Sequence, residues 1–325
     1  MVVRVTTAAR LHFGFRNLSL SNERLYGGIG LALSAPSLVV EAARSGRIET
    51  SHPVVRTHAE RAASILSVPG ARLNVVEELP RHVGLGSGTQ LALAVYVAIA
   101  RAYDLEPAVR DHAPALGRGG RSGVGIAAFE RGGFVLDAGH PTELFTPTRP
   151  PDGEWRVPPV AAHHTVPSDW RVLLIRPGVP DGRSGKGEDA SIRTVVERAD
   201  PTIADEIDRI VVRQLLPALA DADVRAFGRA VEHIGRRNGA WYEDAQGGIY
   251  RSPVDGIVSE LGDEPAIDGL GQSSWGPTVY GITDRARTEA ARHAAREAFD
   301  RMGLTGSIEV VSPRNDGARI ERIDR

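Results

Sequence analysis

The stretch Pro80-Arg81-His82-Val83-Gly84-Leu85-Gly86-Ser87-Gly88-Thr89-Gln90 decides how this chain is read, because a glycine-rich turn there runs straight into Leu91-Ala92-Leu93-Ala94-Val95-Tyr96-Val97-Ala98-Ile99-Ala100. Apolar side chains on every side of that helix predict that it is buried. A glycine turn opening a buried helix suits an anion. Gly84, Gly86 and Gly88 let backbone N–H groups turn toward it, the helix N-terminus adds about half a positive charge, and Ser87 and Thr89 offer hydroxyls to oxygen or to Mg²⁺. The same residues also read as a tight structural turn with a Ser or Thr cap. Two common phosphate motifs are excluded: no Gly-Lys-Ser/Thr follows, and no acidic residue about 20 positions after a suitable strand completes a dinucleotide fingerprint.

Outward from this turn, alternation and β-branched content predict strands at 3–8, 37–42, 73–76, 132–136, 172–175 and 308–311. Thr57-His58-Ala59-Glu60 reads as a capping box opening a helix toward position 66. Further helices are expected at about 188–199, 203–219, 222–238 and 284–302, the last closed by Gly303. The proline-rich run 141–167 predicts a boundary near 145–168 and two domains, 1–160 and 161–325. His163 and His164 within it read as surface residues, and Glu232, His233, Arg236 and Arg237 as a solvated, ion-paired helix face. With no repeating βαβ unit, the class is α+β.

Composition bounds the function. The chain has 325 residues, 42% of them hydrophobic and 25% charged, with a mean hydropathy of -0.18. No apolar run approaches the roughly 18 residues of a membrane span, and the first residues alternate like a strand, so a cytoplasmic protein without membrane contact is expected. Absence of cysteine excludes disulfides, thiolate metal sites and thiol nucleophiles. A net charge of -2 excludes a strongly basic nucleic-acid binder and points to a small-molecule partner. Lys186 is the only lysine among 39 cations, and it lies in Gly178-Val179-Pro180-Asp181-Gly182-Arg183-Ser184-Gly185-Lys186-Gly187, a glycine-rich segment read as a second phosphate-contacting or lid element.

Pro-x-x-x-Gly-Leu-Gly-Ser at 80–87 resembles the phosphate loop of the GHMP kinase superfamily. Ala9-Arg10-Leu11-His12-Phe13-Gly14 stands where that superfamily has its first motif, and Gly269-Leu270-Gly271-Gln272-Ser273-Ser274-Trp275-Gly276-Pro277-Thr278-Val279-Tyr280 where it has its third. The resemblance implies a two-domain α+β fold, with an N-terminal domain like ribosomal protein S5 domain 2 and a C-terminal ferredoxin-like α/β plait. One departure matters: Arg121-Ser122-Gly123-Val124-Gly125 carries glycine where many of these kinases carry an acidic base. Together with Gly-Arg-x-x-Arg-Ser-Gly-Val-Gly at 117–125 and Ser-Ser-Trp-Gly-Pro-Thr-Val-Tyr at 273–280, it makes the chain most similar to the beta-ribofuranosylaminobenzene 5'-phosphate synthase family.

That resemblance implies condensation of 5-phosphoribosyl 1-diphosphate with 4-aminobenzoate or 4-hydroxybenzoate, with loss of diphosphate and CO₂, in methanopterin biosynthesis. It also implies Mg²⁺ and a homodimer. By the chemistry required, Arg10, Arg118 and Arg121 are candidates to orient carboxylate or phosphate and His12 to take the ring proton, with Arg10, His12 and Lys186 as the catalytic candidates. Gly84, Gly86, Ser87, Gly88, Thr89, Gln90, Ser122, Gly123, Ser184 and Lys186 are candidates for phosphate, with Ser87 and Thr89 toward Mg²⁺. Gln272, Ser273 and Ser274 would face substrate, and Trp275 either stacks on the ring or packs. Two other readings stay open: an ATP-dependent kinase of a small alcohol, and a GHMP-fold ligand sensor without catalysis.

Overall fold

A computed structural model describes residues 1–146, 148–179 and 192–323. Two very long strands, β1 (Val2–Asn17) and β2 (Arg24–Arg44), pair antiparallel and form the spine of the first sheet. β3 (Ala71–Glu77) pairs with the far half of β2, and β4 (Phe134–Asp137) with its near half. The short β5 (His140–Pro141) also joins β2, β6 (Val160–His164) extends the sheet beyond β4, and β11 (Arg319–Ile323) closes it against β1. The Ala9–Gly14 motif thus lies inside β1 and not after it. Register shifts fall between Ala8 and Arg10 and between His12 and Gly14, and bulges of this kind re-aim side chains beside functional sites.

Helix α1 (Pro53–Leu66) and α2 (Ser87–Ala102) pack together, and α2 lies on β1 and β2. Burial of α2 is as the apolar run predicts: from Gln90 to Ala100 every residue is buried. The capping box is not formed. α1 starts four residues earlier, at Pro53, with His52 as N-cap accepting from Val55 N–H; Thr57 instead donates to Pro53 O. Proline at the first helical position has φ already set and no N–H to leave unpaired, so it outcompetes the later Thr. α3 (Val109–His112) and α4 (Val124–Arg131) complete this half.

The second sheet is antiparallel in the order β10 (Gly306–Val311), β7 (Trp170–Pro177), β9 (Val279–Asp284), β8 (Gly269–Gln272). Fourth, first, third, second is the strand order of the ferredoxin-like plait. Helices α7 (Val254–Leu261) and α8 (Thr288–Met302) bury Ile257, Leu261, Ala295 and Phe299 against it. His163 and His164 are half-buried strand residues, with His163 Nε2 3.0 Å from Gly132 O, and not surface loop. Backbone groups in β6 need ladder partners, which the proline count around it conceals.

α5 (Pro201–Ile210) and α6 (Val224–Trp241) join the halves. α6 packs on β8, β9 and β1 together, and its Phe227 meets Trp170 at 4.8 Å, Phe13 at 6.0 Å and Phe134 at 6.1 Å between ring centroids. One fully buried ring therefore couples β1, β4 and β7. Phe227→Ala should cost about 3–5 kcal/mol, read as a fall in the urea midpoint; an unchanged midpoint would refute this role.

Candidate active site

Gly84 and Gly86 have φ of 86° and 81°, the left-handed region that a glycine adopts without strain. Gly86 is the N-cap of α2 and no side chain caps that helix. The N–H groups of Thr89 and Gln90 bond Gly86 O, which among the described residues leaves those of Ser87 and Gly88 for a ligand. The three glycine motifs meet here. Arg10 Nη1 donates to Gly84 O at 2.6 Å, Ser273 Oγ donates to the same oxygen at 2.8 Å, and Thr278 Oγ1 donates to Val83 O at 2.6 Å. A Cβ on Gly84 would lie 2.1 Å from Ser273 O, so only glycine permits this approach.

Above the α2 N-terminus opens a cleft of about 1390 Å³. Arg10, Arg24, Arg81, Arg118, Arg121, Arg149, Arg156 and Arg193 line it against two acids, Glu78 and Glu154. The near-neutral chain has gathered cations in one place. Arg118 packs against Gly88, its Nε has no hydrogen-bond partner among the described residues, and desolvation with the nearby Arg149 and Arg61 holds its guanidinium down at about 10, still charged at neutral pH. A half-buried cation beside a helix N-terminus suits an anion.

Of the residues singled out by sequence, Arg10, His12, Gly84, Gly86, Ser87, Gly88, Thr89, Arg118, Arg121, Ser122, Gln272, Ser274 and Trp275 line this cleft. Three are brought close but serve the scaffold. Gln90 is fully buried, accepting from Thr7 Oγ1 and donating to Gly125 O. Ser273, also fully buried, spends its hydroxyl on Gly84 O and on the N–H of His12, and does not line the cleft. Gly123 N–H donates to Asp137 at 2.7 Å. Trp275, buried but still in the cleft lining, packs edge-on against Tyr242 at 4.8 Å between ring centroids. Ser184 and Lys186 lie outside the described residues.

Two side chains escaped the sequence reading. Asp137 ends the apolar run Phe134-Val135-Leu136 and is fully buried, accepting from the N–H groups of Gly123 and Gly139 and from Ser122 Oγ. A lone acid closing a buried strand was the available signal. Asn238 on α6 grips the backbone of Phe15 at both N–H and C=O, clamping β1 beside His12. His12 lies 3.3 Å from Ser122 Oγ. Burial, then Arg10 and Arg121, push its pKa down to about 3, so the ring is neutral at physiological pH.

The GHMP kinases N terminal domain family matches residues 38–133. Among solved structures, homoserine kinase from Cytophaga hutchinsonii superposes with a TM-score of 0.67 at 18% identity, covering 98% of this chain and 97% of that one. Mevalonate diphosphate decarboxylase from Staphylococcus aureus gives 0.64 at 14%, covering 99% of each. Fold, stitched motifs and cleft define a GHMP-kinase-fold protein with an arginine-lined cleft over the N-terminus of α2. Beta-ribofuranosylphenol 5'-phosphate synthase from Archaeoglobus fulgidus is 33% identical over 98% of this chain and all of its own length. The namesake from Methanothermobacter thermautotrophicus is 31% identical over 97% of each. The chain belongs to the beta-ribofuranosylphenol 5'-phosphate synthase family.

A histidine whose folded pKa is depressed is protonated first in the unfolded chain, so its contribution to stability is complete above about 6.5 and is lost as pH falls toward 3. From pH 7 to 5 His12 should remove about 2 kcal/mol. Urea melts at the two pH values should show His12→Gln losing about that much less than wild type; parallel losses would contradict a neutral buried ring.

Proposed function

We propose that this chain condenses 5-phosphoribosyl 1-diphosphate with 4-hydroxybenzoate, releasing diphosphate and CO₂ and forming a C-riboside, a step toward tetrahydromethanopterin. The observation that carries this reading is the cleft: cations and an open helix N-terminus set for a polyanion, with a neutral imidazole beside them. Of the two benzoates the resemblance implied, the phenol in the relatives' names favours the hydroxy acid.

The substrate carries phosphate at one end of the ribose and diphosphate at the other. The diphosphate is suited to the N–H groups of Ser87 and Gly88, flanked by Arg10 under Gly86 and Arg118 against Gly88. Those dipoles and guanidiniums hold the charge that develops as the bond from ribose C1 to diphosphate oxygen breaks. Other cleft arginines remain for the 5'-phosphate and the benzoate carboxylate, where a planar fork matches two oxygens. The donor set suits a magnesium ion that arrives on the diphosphate. Ser87 and Thr89 would meet it with hydroxyls, and among the described residues no group of three His, Asp or Glu forms a cage of its own. Bound there, it would offset leaving-group charge.

The kinase reading is disfavoured by a local detail. A Cβ on Gly125 would sit 3.2 Å from Thr89 Cγ2, so a carboxylate base there would have to push the Thr89 side chain aside. Asp137 is buried beneath and does not line the cleft.

With Mg²⁺, phosphoribosyl diphosphate and 4-hydroxybenzoate, the purified protein should release diphosphate and CO₂ in equal amounts. Arg118→Ala should raise KM for phosphoribosyl diphosphate about 10- to 100-fold with an unchanged melting temperature. Failure to release either product with any benzoate, or phosphoryl transfer from ATP in its place, would overturn the proposal.

A further inference from the structure

Three side chains at the floor of the cleft form a chain: His12 Nε2 lies 3.3 Å from Ser122 Oγ, which lies 3.0 Å from Asp137 Oδ2. Donor accounting favours one placement of the protons. Every group bonded to Asp137 is a donor: N–H of Gly139, Gly123 and Gly28, and the Ser122 hydroxyl. A protonated carboxyl could pass its proton only to Ser122 Oγ and would weaken its grip on the three backbone N–H groups, whereas a carboxylate accepts from all four donors. Burial pushes this carboxyl up, and those same donors pull against the shift. Ser122 thus commits its single proton to Asp137. Its oxygen then accepts from Val124 N–H at 3.2 Å and from His12.

We propose that Asp137 and Ser122 are positioning residues that lock His12 in the tautomer with its proton on Nε2, leaving Nδ1 as the lone-pair acceptor presented to the cleft. Among the described residues no hydrogen bond engages Nδ1, and His12 lines the cleft. Gly28 on β2 shows how tightly this chain is built. A Cβ there would lie 2.1 Å from Ser122 Oγ, 2.8 Å from Asp137 Oδ2 and 3.0 Å from His12 Nε2, although its φ imposes no need for glycine. The absence of a side chain at 28 makes room for all three groups at once.

The catalytic use of this lock rests on the function proposed above. As the ring carbon bearing the carboxylate bonds to ribose C1, the electron pair of the C1–oxygen bond leaves on diphosphate and the phenol becomes a protonated dienone, a strong acid. Nδ1 takes that proton. Breakage of the bond to the carboxylate then returns its electron pair to the ring, expels CO₂ and leaves a phenolate oxygen that recovers the proton from His12. Every atom and charge is accounted for, and no oxidant enters. Because the acid formed is so strong, a weakly basic imidazole suffices, and the lock keeps it from offering N–H in place of a lone pair.

The test is ¹⁵N NMR of the His12 ring in the intact protein, beside steady-state kinetics of Ser122→Ala and Asp137→Asn. Wild type should show a pyrrole-type Nε2 and a pyridine-type Nδ1. Ser122→Ala, which leaves the backbone donors to Asp137 in place, should blur that distinction and lower kcat about 10- to 100-fold with KM for phosphoribosyl diphosphate unchanged. A proton on Nδ1 in wild type, a tautomer indifferent to Ser122→Ala, or an altered tautomer with unchanged kcat would each overturn the proposal. The NMR arm reads the lock even if no benzoate is consumed, so failure of the reaction and failure of the lock are separate results.

Discussion

A single carbonyl oxygen, that of Gly84, accepts from Arg10 and from Ser273 together, using both lone pairs to tie the first strand and the third glycine-rich segment to the phosphate loop. Residues 74 and 189 positions away in sequence converge on one atom. The rest follows from that junction. β1 is held so that His12 faces the cleft, Ser274 N–H bonds His12 O, and the open N-terminus of α2 is presented between Arg10 and Arg118. Gly84 must be glycine for two reasons at once, its positive φ and the 2.1 Å approach of Ser273 O.

Charge in this protein is a matter of place. A net charge of -2 conceals a cleft lined by eight arginines and two glutamates, while many other acids pair with arginine elsewhere, as Asp208 does with Arg16 and Asp268 with Arg287. The surplus cations deny His12 a proton, and burial does so more strongly still. The same field that attracts a polyanion therefore keeps the imidazole neutral beneath it.

Local patterns were legible in the sequence and long-range commitments were not. The glycine turn and apolar helix announce α2, because backbone sterics and burial are local demands, and motif order carried the two-domain fold. Ser273, Gln90 and Gly123 look like ligand residues in one dimension, yet their donors and acceptors are taken by Gly84, Thr7 and Asp137, which no spacing rule predicts. Asp137 was invisible for the converse reason. One buried acid in a strand acquires meaning only when Gly28, Ser122 and His12 are brought against it.

The central claim is that a carbon–carbon bond forms in this cleft at the expense of a carboxylate. It is tested most directly with phosphoribosyl diphosphate labelled with ¹³C at ribose C1 and 4-hydroxybenzoate labelled at the ring carbon that bears the carboxylate. The account predicts a product with one-bond coupling between the two labels and no carboxyl group. A product joined through oxygen, uncoupled and still carboxylated, would contradict it.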